Sequence, residues 1–232
     1  MKTIVFLLFL ILKSINAQNL TTEQLFSRYL VSGDTQIGKM IAEGNDSIYS
    51  FFCKARAEKD MATKKYFLSV FLNRNPAFGA FEAHIERGSL YEYLQQYDSS
   101  LADLNKAVSL SPDNAYGYYF RGVTYSKLSK INDAISDLTK AVSIDKNFYL
   151  AFQMRGNIYM SDSIYVSAIE DYSKVIALNK NYELAYYTRG ICYLKIKESK
   201  KAIKDLEKVI QLNPKYKEKA EKLIEKAKNI TK

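Results

Sequence analysis

This chain of 232 residues contains four tandem copies of a 34-residue block between residues 81 and 216. Its clearest marker is an Arg-Gly pair, and a Tyr stands three residues after each Gly. The pairs are Arg87-Gly88, Arg121-Gly122, Arg155-Gly156 and Arg189-Gly190, and an aspartate follows each Gly fifteen residues later, at Asp103, Asp137, Asp171 and Asp205. Agreement at a fixed period indicates tandem structural repeats, and this constrains the fold before any other feature does.

The periodicity inside each block is helical. In the second block Tyr118, Gly122 and Tyr125 are spaced by four and three residues, so they share one helical face. A glycine inside a helix costs about 1 kcal/mol relative to alanine, and the close approach of a partner helix is the physical reason to keep it. Ala134 and Leu138, with Ala141, form a matching narrow stripe in the second half of the block. We therefore expect two helices per block that cross at the glycine.

The motifs resemble those of the tetratricopeptide-repeat family, which has a small residue within the first helix, an aromatic three residues later and an alanine in the second helix. The resemblance implies an all-α fold, a right-handed α-solenoid of tandem helix-turn-helix repeats. Its four units are predicted at 81–114, 115–148, 149–182 and 183–216, followed by a capping helix at 217–232. Ser100 replaces the expected alanine in the first unit, and only the first and fourth units keep the usual closing proline.

The first 80 residues carry two other predictions. Residues 1–17 combine an early lysine, an apolar run and a small residue at Ala17, which is typical of a secretory signal peptide. An uncleaved membrane anchor is the alternative. Residues 18–80 are predicted to be a helical N-terminal segment, possibly with a degenerate repeat, in which Phe52 occupies the place of the small residue.

Each Arg is matched by an Asp half a repeat later. We interpret Arg121 and Asp137, and the three equivalent pairs, as ion pairs within a repeat or between neighbours. The alternative is an arginine ladder that binds anions. Because an aspartate accompanies every arginine, the structural interpretation is favoured.

No residue pattern points to catalysis. His84 is the only histidine and occupies a packing position that Tyr118 fills in the next repeat. Cys53 and Cys192 are predicted to be buried free thiols, since neither has a neighbouring activating group. Residues 33–40, GDTQIGKM, imitate a phosphate-binding loop but end in Met where a Ser or Thr is needed. We therefore predict a protein without enzymatic activity, cofactor or metal.

In the resembled family the first helix of each repeat lines a concave groove that binds peptides or partner helices. The equivalent residues here are mostly aromatic and aliphatic, and of the Lys, Arg and Asn that the family's carboxylate clamp uses, only Asn157 is present. The predicted groove residues are Ile85, Ser89, Tyr116, Tyr119, Val123, Gln153, Asn157, Tyr187 and Ile191. The alternative is that some of these residues pack against each other.

The leading hypothesis is an exported adaptor or scaffold, periplasmic or secreted, that holds a protein or peptide partner. Alternatives are a self-associating structural module of the cell envelope and a non-catalytic accessory domain of an envelope enzyme complex. The first unit has six acidic against two basic residues, whereas the fourth has eight basic against four acidic residues, so the array is electrically polarised. Nucleic acid is not expected as a partner, and the protein is expected to be a monomer or weak homo-oligomer without a membrane span once the signal is cleaved.

Overall fold

A computed structural model describes residues 48–76 and 78–230, together with Leu30 and Ile41. The predicted signal peptide and the GDTQIGKM stretch lie outside the described residues. Between residues 48 and 230 the structure is all-α, with eleven α-helices packed as tandem helix-turn-helix pairs. The chain divides into two compact units, residues 1–110 and 111–232.

The described part of the first unit contains two helix pairs. Helices α1 (Ile48–Ala57) and α2 (Met61–Asn73) form the first pair, and α3 (Ala80–Tyr93) and α4 (Tyr97–Leu110) form the second. Helix α2 also packs against α3. Asp60 begins α2 as an N-cap, because its carboxylate accepts a hydrogen bond from the Thr63 amide at 2.7 Å.

The second unit contains three helix pairs and a final helix. The pairs are α5 (Ala115–Lys127) with α6 (Ile131–Ile144), α7 (Tyr149–Ser161) with α8 (Tyr165–Leu178), and α9 (Glu183–Lys195) with α10 (Ser199–Leu212). A 3₁₀ turn (Pro214–Tyr216) leads into α11 (Lys217–Ile230). Helix α7 packs on α6, and α9 packs on α8, so consecutive pairs stack and complete a shared core.

The turn inside each pair repeats as faithfully as the helices do. Gln95, Ser129, Ser163 and Lys197 all have positive φ angles, between 57° and 62°. The next amide donates back to the carbonyl of the repeated tyrosine; the bond from the Lys130 amide to the Tyr125 carbonyl is 2.9 Å. A left-handed residue costs a non-glycine side chain about 1–2 kcal/mol, and this capping bond at the helix C-terminus offsets part of that cost.

The four repeated glycines lie at the helix crossings, as the sequence predicts. A methyl group added to Gly122 would stand 3.0 Å from Leu138 Cγ and 3.3 Å from the Ala134 carbonyl oxygen. Ala134, Leu138 and Ala141 are fully buried. The predicted stripe of small residues is therefore the surface on which the glycine-bearing helix packs.

Helix α11 packs on α10. Ala220 and Ala227 are fully buried and join Leu206 in one apolar cluster. Leu223 and Ile224 are partly buried in the same cluster, whereas Ile230, at the end of the helix, is 38% exposed. Contact with the cluster therefore extends to Ala227 but not to Ile230.

The α1–α2 pair differs from the glycine-bearing pairs. Phe52 is fully buried, and its ring centroid lies 5.2 Å from that of Phe71. The Phe52–Phe71 contact thus occupies the position at which the later pairs have a glycine between their two helices. Among the described residues no helix has both the length and the apolar character needed to cross a bilayer.

Candidate binding surface and the repeated arginine–aspartate pair

Each repeated arginine binds the aspartate of its own repeat with two parallel hydrogen bonds. In the third repeat Arg155 Nε lies 2.9 Å from Asp171 Oδ2, and Nη2 lies 2.7 Å from Oδ1. The pairs Arg87–Asp103, Arg121–Asp137 and Arg189–Asp205 have the same geometry, with distances of 2.7–2.8 Å. The predicted ion pair is therefore confirmed, and it joins the two helices of one repeat.

Arg87, Arg155 and Arg189 also reach the preceding helix pair. Arg155 Nη1 donates to the Thr139 hydroxyl at 2.9 Å, and Arg189 Nη1 donates to the Ser173 hydroxyl at 2.8 Å. Both hydroxyls lie two residues after a repeated aspartate. This spacing is visible in the sequence, but it does not by itself indicate a contact with the next arginine. Arg87 Nη1 lies 3.1 Å from the Ser69 hydroxyl of α2, so the α1–α2 pair takes part in the same kind of contact.

Aromatic rings flank the arginines of the second unit. The guanidinium carbon of Arg189 lies 5.8 Å from the ring centroid of Tyr186 and 5.7 Å from that of Tyr193. The hydrogen bonds that Arg155 donates to Asp171 raise the pKa of Arg155 above its ordinary value, although burial opposes the shift. The Nε, Nη1 and Nη2 atoms of Arg155 and Arg189 all donate hydrogen bonds to partners within the fold. These arginines therefore connect neighbouring repeats, and they do not form a ladder that binds anions.

His84 modifies the pair of the first repeat. Its Nδ1 lies 2.8 Å from Asp103 Oδ1, which also accepts from Arg87. Burial alone would raise the pKa of Asp103, but the hydrogen bonds from Arg87 and His84 outweigh it and hold that pKa below its ordinary value. Asp171 has no such histidine, and burial raises its pKa despite the bonds from Arg155. The packed role predicted for His84 thus includes a polar contact that sequence could not show.

The predicted groove residues of the second unit lie on one face of three equivalent helices, which we call the front face. It consists of the second, fifth and ninth residues of α5, α7 and α9: Tyr116, Tyr119 and Val123; Leu150, Gln153 and Asn157; Leu184, Tyr187 and Ile191. The second positions are the open ones. Tyr116 is 52% exposed, and Leu150 and Leu184 are each 37% exposed. The front face therefore presents an uncovered apolar row.

The fifth positions are held by the last residue of their own repeat. The Tyr119 and Phe148 ring centroids lie 5.0 Å apart, and those of Tyr187 and Tyr216 lie 5.3 Å apart. The amide of Gln153 donates to the Tyr182 hydroxyl at 2.7 Å. We call Phe148, Tyr182 and Tyr216 the closing aromatics. Their spacing of 34 residues is visible in the sequence, but spacing alone does not predict which side chains they contact.

At the ninth positions the side chains are half-buried. Asn157 Oδ1 accepts a hydrogen bond from the buried Tyr172 hydroxyl at 2.6 Å. Burial raises the pKa of Tyr172, so this phenol stays protonated and donates. Asn157 is thereby partly committed to the fold, as are Tyr119, Gln153 and Tyr187.

Two predicted groove residues belong to the first unit. Ile85 is buried, with 9% of its surface exposed, and the Ser89 hydroxyl donates to the Ile85 carbonyl at 2.8 Å. Ile85 therefore contributes to the core of α3 and offers little surface to a partner.

The thiols and carboxylates of the described residues show no catalytic arrangement. Cys53 and Cys192 are buried and free, as the sequence predicts. Burial raises the pKa of Cys53 to about 12 and that of Cys192 to about 11, so neither is activated. Within the described ranges, no group of three His, Cys, Asp or Glu side chains could hold a metal ion.

Stacked helix pairs, four of them with a glycine at the crossing, define an α-solenoid of the tetratricopeptide kind. Profiles of that family match residues 184–216 (Tetratricopeptide repeat), 88–129 (TPR repeat) and 115–148 (Tetratricopeptide repeat). Residues 88–148 and 184–216 are therefore tetratricopeptide repeats, a kind of repeat that is typically non-catalytic. No curated protein is significantly similar to it in sequence.

Solved structures share the fold. A crystal structure of MamA superposes with a TM-score of 0.64 at 23% identity, covering 72% of this chain and 96% of MamA. YrrB, described as a TPR protein with an unusual peptide-binding site, has a TM-score of 0.60 at 18% identity and covers 90% of this chain and 100% of its own. MamA 41-end from Desulfovibrio magneticus RS-1 has a TM-score of 0.56 at 17% identity, with 66% and 93% covered. At these identities the likeness shows the fold alone.

Proposed function

We propose that this protein is an exported adaptor that binds a protein or peptide partner on the front face of its second to fourth repeats. The observation that carries the proposal is the exposed apolar row of Tyr116, Leu150 and Leu184, repeated at one position of three consecutive front helices. Tyrosine is enriched among the residues that carry most of the binding energy at interfaces, and leucine side chains contribute by burying apolar area.

The closing aromatics support this proposal because they order the surface before any partner arrives. Tyr119, Gln153 and Tyr187 already have fixed neighbours. A partner that docks on the row also meets these neighbouring fifth-position side chains, which are already ordered and so lose little conformational entropy on binding. YrrB, of the same fold, is described as having a peptide-binding site.

Partner capture from an envelope extract, with a photo-crosslinking residue at position 116, tests the front face. The variant Leu150→Glu with Leu184→Glu should lose the cross-linked partner. The matched control is Val166→Glu with Leu178→Glu, which charges two apolar residues of α8 that are 61% and 40% exposed and lie off the front face. Equal cross-linking by wild type and both variants would contradict the assignment. Light scattering that shows stable oligomers, abolished by the front-face variant, would favour self-association instead.

Export rests on the signal-like pattern of residues 1–17. Expression of the full chain in a Gram-negative host, followed by fractionation and N-terminal sequencing, tests it. We expect a periplasmic product that begins at Gln18. Retention of the intact chain in the membrane fraction would support the anchor alternative, and retention in the cytoplasm would refute export.

A further inference from the structure

The fourth repeat carries a second concavity, separate from the front face. It is a cleft of about 510 Å³ between α9 and α10, a volume within the range of about 300–1,000 Å³ that binding sites occupy. Tyr186 and Tyr193 line it from α9, and Lys201, Lys204 and Lys208 line it from α10. Counted at about 100° per residue, the α9 residues of this cleft point about 160° away from Leu184, Tyr187 and Ile191. We call it the basic cleft.

The positive charge available to a ligand in the basic cleft comes from its lysines, because Arg189 is already paired within the fold. Arg189 donates to Asp205 and Ser173 through Nε, Nη2 and Nη1. Lys201 makes a 3.4 Å ion pair with Glu198. Among the described residues, no carboxylate pairs with Lys204 or Lys208. Glu207 also lines the cleft but makes no ion pair with either lysine, so two ammonium groups face the cleft without a directly bound counterion.

This charge is particular to the last repeat. The residues equivalent to Lys201, Lys204 and Lys208 in the third repeat are Ser167, Glu170 and Lys174, and in the second repeat they are Asp133, Ser136 and Lys140. Three basic side chains thus line one helix face only where α10 precedes the final helix. A purely solubilising role would not require them to converge on a concavity that also contains two tyrosine rings.

The spacing of the lysines matches one kind of ligand. Lys204 and Lys208 are four residues apart, so their backbone positions differ by about 6 Å along the axis of α10. Carboxylates on alternate residues of an extended chain are about 6.6–6.8 Å apart. An extended segment that lies along α10 can present one carboxylate to each lysine.

We propose that the basic cleft binds an extended acidic peptide segment with carboxylates on alternate residues. Lys204 and Lys208 would pair with successive carboxylates, and Lys201 would extend the row. The rings of Tyr186 and Tyr193 would cover the apolar parts of the segment. This contact adds a second docking place to the proposed adaptor, and it stands or falls independently of the front face.

The probe is a fluorescein-labelled peptide of alternating Glu and Ser, measured by fluorescence polarisation at low ionic strength, with an alternating Gln-Ser peptide as the neutral comparison. Wild-type protein should bind the acidic peptide and not the neutral one. Lys204→Glu with Lys208→Glu should weaken binding about tenfold or more, because two attractions become repulsions. The control Lys219→Glu with Lys226→Glu changes the net charge equally on exposed residues of α11 and should weaken binding about twofold or less, by long-range screening only.

Further arms separate the other sources of negative charge and the proposed function. Inorganic phosphate at the same concentration of charge should not displace the peptide, and vesicles containing phosphatidylglycerol should not compete with it. The front-face variant Leu150→Glu with Leu184→Glu should still bind the acidic peptide. Absence of wild-type binding, equal loss in the cleft and control variants, or displacement by phosphate or vesicles would each overturn the proposal. Circular dichroism melts confirm folding of the variants.

Discussion

Asp171 accepts two hydrogen bonds from Arg155 across the helix pair of the third repeat, and Arg155 extends a third to Thr139 of the preceding pair. One side chain therefore ties together both helices of its own repeat and the repeat before it. The side chains of Arg155 and Asp171 are only 15% and 4% exposed. Solvent screening is weak at such a site, so the pair matters more than a surface ion pair does.

Asp171→Ala leaves the Arg155 guanidinium partly buried without its counterion, and we expect a loss of about 3 kcal/mol in the free energy of unfolding. The double variant Arg155→Met with Asp171→Leu removes both charges and fills similar volume. It should lose less than the single variant. Urea unfolding followed by circular dichroism measures both. A double variant as unstable as the sum of its two single variants would show that the residues do not act as a pair.

Ser173→Ala removes the acceptor for Arg189 Nη1 on the neighbouring repeat. A hydrogen bond to a charged group contributes about 1.5–3 kcal/mol, and we expect a loss near the lower end of that range because the site is half-buried. Ser143→Ala is the matched control, since its exposed hydroxyl bonds only to the Lys140 carbonyl of its own helix. The same urea titration compares them. Equal stability of the two variants would show that the Ser173 hydroxyl does not stabilise the contact between repeats.

Gly122→Ala should destabilise the protein by about 1–3 kcal/mol, because the new methyl meets Leu138 Cγ at 3.0 Å and a rigid carbonyl oxygen at 3.3 Å. Gly190→Ala should be milder, since its nearest contact is Leu206 Cγ at 3.2 Å and the carbonyl oxygen of Ala202 is 3.6 Å away. The helix propensity of alanine recovers about 1 kcal/mol in both variants. Thermal melts compare the stabilities of the two variants. A larger loss for Gly190→Ala than for Gly122→Ala would contradict the close approach of the two helices as the reason for the glycine.

His84→Phe should raise the pKa of Asp103, because one of the hydrogen bonds that hold it low disappears. The reciprocal variant Phe152→His should lower the pKa of Asp171, which burial now raises. Carbon-13 NMR titration of the two carboxyl groups reads both shifts directly.

The effect on stability has a definite sign. Because the folded-state pKa of Asp103 is lowered, its contribution is present above the unfolded value of about 4 and is lost as the pH falls below it. His84→Phe should make that acid loss smaller. Unchanged carboxyl pKa values in both variants would remove His84 from the electrostatics of the pair.

Cys53 and Cys192 should not react with a disulfide reagent at pH 8 while the protein is folded. Burial raises their pKa values to about 12 and about 11, so few thiolates exist at that pH and access is blocked. Both should react within the time of unfolding in urea. Ser143→Cys, which places a thiol on an exposed residue of α6, should react at once. Fast reaction of the native cysteines would mean that their helices open locally.

The sequence determined the repeat architecture because a helix pair has a fixed length and a fixed crossing geometry, and both leave periodic marks. The spacing predicted that Gly122 faces the stripe of small residues and that Arg121 pairs with Asp137. The same period also carried the closing aromatics and the hydroxyls at Thr139 and Ser173. Their partners lie in other helices, and spacing alone does not say which residues face each other.

Tertiary structure decided which front-face residues are free. Sequence placed Tyr116 and Tyr119 together as candidates for contact with a partner. Packing placed Phe148 against both rings, with centroid distances of 5.0 Å to Tyr119 and 4.8 Å to Tyr116, yet it left Tyr116 52% exposed. The basic cleft arose in the same way. Its lysines are plain in the sequence, but only the crossing of α9 and α10 gathers them beside two tyrosine rings, since side chains on different helices meet only when those helices pack.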